Sequence, residues 1–161
     1  MDKRSVRTKA YRPLKQEDYF FPFQWSEKAI WKIDAPVVEI ELSQIVWLLD
    51  VDWFGTDERP LTPNEVMKNP ELDSVHYERI KNADLAYPID LGLNPRVNKL
   101  VPFDGFHRIC KAKMLGAKQI RCRIIPIEKV LNKMTRHTSA STAKAYPLHF
   151  VSLSARQALK T

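Results

Sequence analysis

Hydrophobic and polar residues change rhythm along this chain, and each rhythm predicts an element. Val38, Ile40 and Leu42 alternate with Glu39 and Glu41, the two-residue period of a strand with one buried face. Ser43 then caps a short helix that runs to Leu49. Thr62-Pro63-Asn64-Glu65 has the form of a capping box with proline at the first helical position, which predicts a helix over 63–69. Ser74 caps the next helix, over 75–82, with Ile80 facing inward. Tyr87-Pro88-Ile89-Asp90-Leu91 returns to strand, and Gly92-Leu93-Asn94-Pro95 breaks it. A strand over 99–103 ends in Asp104-Gly105. Ile109, Ala112 and Leu115 then recur at helical spacing over 107–115, and Gly116 stops that helix. Gln119 to Ile125 forms another strand, and residues 127–134 a last helix. Strands alternate with helices, so the fold class is α/β (α+β), with a small mixed sheet flanked by helices.

The two ends depart from this pattern. Residues 1–18 read as a flexible basic arm, and 135–161 as a polar linker with a C-terminal docking segment, leaving one domain over 19–134. Within that domain, Tyr19-Phe20-Phe21-Pro22-Phe23-Gln24-Trp25 is too aromatic to stand in water and docks on the rest or on a partner. Leu148, Phe150, Val151 and Leu153 are candidates for packing on the domain or on a second subunit.

Charge sharpens the division. The net charge is +7, yet residues 1–15 and 128–161 together hold 12 Lys and Arg against 2 acids, so the centre is slightly acidic. Basic tails on an acidic body suit weak, sequence-indifferent contact with nucleic acid. No apolar run reaches the roughly 18 residues of a membrane span, and the start is too polar for a signal peptide, so the expected location is cytoplasmic, without a membrane partner. The 2 cysteines, Cys110 and Cys122, fall on apolar elements and read as reduced core thiols.

The candidate chemistry gathers at Asp104-Gly105-Phe106-His107-Arg108. Glycine lets the backbone turn sharply where a helix begins. The free N–H groups of that helix start, the positive end of its dipole and the Arg108 fork make a phosphate site. Asp104 is placed to hold a metal ion, cap the helix or orient His107. His76 reads as a surface or capping histidine. Behind the turn, residues 108–123 contain no acid, and Lys111, Lys113, Lys118, Arg121 and Arg123 form a basic strip. Asp50 and Asp52 lie in the densest run of acids, with Asp57 and Glu58 after them.

The ordered set of Tyr87-Pro88-Ile89, Asp104-Gly105-Phe106-His107-Arg108, Ala112, Gly116 and the following strand resembles the ParB/sulfiredoxin superfamily, over about residues 37–127. The resemblance implies nucleotide-phosphate binding at Asp104, Gly105, Phe106, His107 and Arg108. Sulfiredoxins carry a reactive cysteine where this chain has Phe106, so sulfinic-acid repair is not implied. The Asp-Gly-x-His-Arg form is closest to the free serine kinase-like branch. By that likeness a carboxylate near the first strand, Asp50 or Asp52, acts as catalytic base with His107 nearby, and Asp104 holds Mg²⁺.

Two functions follow as expectations. The first is a nucleotide-dependent phosphotransferase that uses ATP, ADP or CTP with Mg²⁺ and acts on a small hydroxyl acceptor. The alternative is a ParB-like DNA-binding or partition-type module, or a nuclease, with the nucleotide as a switch and the basic residues on nucleic acid. Only about 34 residues follow Ile127, too few for the helix-turn-helix domain that a partition protein usually carries there.

Overall fold

Thr62 and Glu65 form the reciprocal pair expected of a capping box. The Thr62 hydroxyl accepts from the Glu65 N–H at 3.2 Å, and the Glu65 carboxylate accepts from the Thr62 N–H at 2.7 Å. Helix α2 (Pro63–Lys68) starts there. The cap of helix α3 (Ser74–Asn82) is Asp73 rather than Ser74: its carboxylate accepts from the His76 N–H at 3.1 Å. The same carboxylate takes the Gly55 N–H, which ties α3 to the hairpin of β2 (Phe54–Gly55) and β3 (Pro60–Leu61).

This computed structural model describes residues 14–134. The main sheet has four strands: β1 (Val37–Glu41), β4 (Ile89–Asn94), β5 (Lys99–Asp104) and β6 (Gln119–Ile124). Their order is β1-β6-β4-β5, with β6 and β4 parallel and the outer pairs antiparallel. Helix α4 (Phe106–Met114) crosses from β5 to β6, and α1 (Glu27–Trp31) and α5 (Ile127–Met134) complete the set. The fold is therefore α+β with a small mixed sheet between helices, as the alternation predicts. The helix over 43–49 is instead two 3-10 turns, Leu42–Gln44 and Val46–Asp50, which bury Leu42, Leu48 and Leu49.

Because side chains alternate across a strand, the sheet has two different faces. On one, Ile40, Ile89, Leu91, Ile120 and Cys122 meet α2, α3 and α4 through Val66, Ile80, Ile109 and Ala112. On the other, Val101 and Phe103 meet Phe21, Ile30, Ile33, Ile125 and Val130. Phe21 stacks on Phe103 at 4.2 Å between ring centres, and Trp25 meets Phe103 edge-on. The aromatic segment therefore docks on its own domain.

Gly92 does not break β4, which runs on to Asn94. A side chain there would put a Cβ 2.4 Å from the Phe103 ring, so this glycine marks a close approach within a strand. Asn94 then closes the strand from inside, donating to the Tyr19 carbonyl at 2.7 Å. Of the basic arm expected over 1–18, residues 1–13 lie outside the described part. Leu14 is hydrogen-bonded alongside Asp50 and Asp52, and Gln16 to Tyr19 form a 3-10 turn. The tail over 135–161 also lies outside the described residues. Among the described residues, no helix is long and apolar enough to cross a membrane.

Candidate functional site

The turn after β5 has the expected geometry. Gly105 takes the left-handed conformation, at φ 108°, and is the N-cap of α4. A Cβ at this position would lie 2.5 Å from the Ile89 side chain, so glycine also allows α4 to approach β4. The N-cap, a glycine, gives no side-chain hydrogen bond to α4. Asp104 Oδ2 accepts from Arg108 Nη2 and from Trp31 Nε1, each at 3.1 Å. Asp104 thus holds Arg108, one turn up the helix, and the indole of α1.

Beside this turn opens a cleft of about 460 Å³, lined by Trp31, Tyr87, Pro88, Asp90, Asp104, Arg108 and Arg123. Five segments contribute to it. Asp90 and Asp104 are register partners across β4 and β5, beside an irregularity between Asp90 and Leu91. Asp90 is 2% exposed. It is compensated by the Arg123 fork: Nε donates at 2.7 Å and Nη2 at 2.8 Å to its two oxygens. These bonds hold the Arg123 guanidinium pKa above its ordinary value. Its Nη1 donates to the Ile33 carbonyl at 2.9 Å. Arg123 is therefore engaged on two sides. Arg108 is different: its buried Nε has no hydrogen-bond partner among the described residues. A buried unpaired donor costs about 1–3 kcal/mol.

The other residues of the motif point elsewhere. Phe106 packs against Trp53, at 4.8 Å between ring centres. Phe106 does not line the cleft. His107 does not line the cleft either. Its Nε2 lies 3.0 Å from Nδ1 of His76 on α3, so one ring donates and the other accepts. Phe54 stacks on both imidazoles. Burial, followed by the His76 ring, pushes the His107 pKa down to about 4, and burial also lowers that of His76. Both rings are held neutral in a helix-to-helix bond. The structure thus places the side chains of His107 and His76 in a contact between α4 and α3, away from the cleft residues.

Asp50 and Asp52 also lie outside the cleft. Asp50 accepts from Asn64 Nδ2 at 2.8 Å, and Asp52 from the Gln16 N–H at 2.6 Å. Their carboxylates fasten α2 and the Leu14 segment to the domain. The acid that stands opposite the turn is Asp90. Two residues after Pro88, it was within the resemblance but lay in a run that read simply as strand.

The basic strip is largely spent on the protein's own backbone. Lys111 Nζ donates to the carbonyls of Lys81 and Ala83, at the end of α3. Arg121 donates to the Ala86 carbonyl, and Arg123 is bound in the cleft. Lys113 and Lys118 stay exposed. Burial pushes the thiol pKa of Cys110 up to about 12 and that of Cys122 to about 11, so both stay protonated. Among the described residues, no three His, Cys, Asp or Glu side chains gather as a metal cluster. The chain matches no family model, no curated protein and no solved structure.

Proposed function

We propose that the cleft beside the Asp104–Arg108 turn binds the phosphates of a nucleotide, and that the protein is a nucleotide-dependent phosphotransferase acting on a small hydroxyl substrate. The observation that carries this reading is Arg108. It is a guanidinium that lines the cleft from the first turn of α4, held there by Asp104 through Nη2. Helix N–H groups, the helix dipole and a planar fork are the donors that phosphate oxygens take. The volume of about 460 Å³ lies within the range of small-molecule pockets. The resemblance to the ParB/sulfiredoxin superfamily supports the same choice.

Roles within the cleft differ from residue to residue. Arg108 meets the transferring phosphate. Asp90 and Arg123 hold each other and set the floor. Asp104 is the more accessible carboxylate, at 24% side-chain exposure against 3% for Asp90. It is therefore the one to share Mg²⁺ with phosphate oxygens or to take the proton of an acceptor hydroxyl. Mg²⁺ in nucleotide sites is held by one or two carboxylates plus phosphates, a donor set that this cleft can supply. Bound there, it would neutralise phosphate charge. The DNA-binding alternative rests on the tails, because Lys111, Arg121 and Arg123 donate to internal partners.

Calorimetric titration with ATP, ADP and CTP, with and without Mg²⁺, tests the proposal. Arg108→Ala should weaken nucleotide binding by about 1.5–3 kcal/mol, the range of hydrogen bonds to charged groups. Unchanged affinity in that variant, with its fold confirmed by circular dichroism, would overturn it.

A further inference from the structure

Among the described residues, the aromatic rings are nearly all paired. Trp25 meets Phe21 and Phe103, Trp47 meets Tyr19 and the Lys99 ammonium, and Trp53 meets Phe20 and Phe106. Tyr77 has the Lys81 ammonium over its ring. Two described aromatics differ from these. Trp31 and Tyr87 have no ring or cation partner among the described residues, and they are 54% and 65% exposed. They come from separate elements, the last residue of α1 and the segment before β4, yet both line the cleft that holds Arg108. The Trp31 indole is also fixed in place, because its N–H donates to Asp104.

We infer that Trp31 and Tyr87 form a stacking platform for the base of the nucleotide, while Arg108 and the start of α4 take its phosphates. The inference rests on the phosphate reading above and adds which part of the ligand the two exposed rings recognise. Exposed aromatic surface lining a cleft is poorly used in water. A planar heterocycle covers it, and stacking tolerates any base because every base presents a π-face. The platform therefore gives affinity for a nucleoside over bare phosphate, with little choice between purine and pyrimidine.

Calorimetry with three probes separates the two halves of the ligand: ATP, CTP and inorganic tripolyphosphate. Trp31→Ala and Tyr87→Ala should each weaken ATP and CTP by about tenfold, within the range known for single base-stacking residues, and leave tripolyphosphate unchanged. Trp31→Phe keeps a ring but loses the bond to Asp104, and should keep most of the nucleotide affinity. If ATP and tripolyphosphate bind the wild type equally, or if Trp31→Ala and Tyr87→Ala leave ATP binding intact, the platform is wrong while the phosphate site stands. If tripolyphosphate and both nucleotides fail to bind the wild type, the phosphate reading falls and the platform falls with it.

Discussion

The two faces of the sheet are built on different terms. The face under α2, α3 and α4 is aliphatic and continuous, running from Ile40 to Cys122, with the neutral His76–His107 pair at its margin. The opposite face is smaller, aromatic, and covered by two short helices from far apart in the sequence. There Asp90 and Arg123 are bound to each other and to the α1 segment, and the cleft opens beside them. The first face spends its residues on burial. The second buries an ion pair, Asp90 with Arg123, whose desolvation costs stability. One helix serves both: in its first turn His107 turns toward α3, while the next residue, Arg108, turns toward the cleft.

The largest expected effect breaks the second face at its floor. Arg123→Ala leaves the Asp90 carboxylate buried without its fork. Removing one partner of a buried pair costs about 3–5 kcal/mol, which denaturant unfolding will read. Replacing both, as Asp90→Leu with Arg123→Met, should recover most of that loss, because an apolar pair of similar size carries no desolvation penalty.

A somewhat smaller loss should follow from joining the faces badly. Gly105→Ala sets a Cβ against Ile89 at a left-handed backbone position. Strain and overpacking together amount to about 2–4 kcal/mol in the same measurement. That variant is thus a probe of the fold, and Arg108→Ala is the cleaner probe of the cleft.

The smallest effect belongs to the first face and depends on pH. The folded His107 has its pKa pushed down to about 4, below the 6.5 of a free ring. The unfolded chain therefore binds more protons in that window, and stability is lost as the pH falls from about 6.5 toward 4. Because the ring is only half buried, solvent screening limits the full loss to about 1–2 kcal/mol. Wild type should weaken between pH 7 and 5.5 more than His107→Gln does. Equal slopes for the two proteins would show that the pair contributes nothing to the pH dependence.

Much of the fold was legible because its signals are local. The capping box at Thr62, the alternation over Val37–Glu41 and the Asp104-Gly105 turn each depend on a few neighbouring residues. Gly92 was misread because its reason lies across the sheet, in the rings of Phe103 and Phe21. The site was half legible. Asp104, Gly105 and Arg108 could be found from the turn, but the direction of a side chain depends on what its helix packs against. His107 and Arg108 looked like one unit in sequence, although neighbouring helical residues point about 100° apart. Asp90, Trp31 and Tyr87 gave no local sign, since only the cleft brings them to Arg108.

The covering of the aromatic face has a consequence in time. Lys133 Nζ donates to the Lys32 carbonyl across 101 residues, and Lys129 to that of Asp34 across 95. Contacts between such distant parts of a chain are slow to close. Trp31, one wall of the cleft, belongs to this late-closing layer. Amide exchange should be faster in α1 than in β4 or β6. Opening of that layer would leave the aliphatic core beneath the sheet undisturbed.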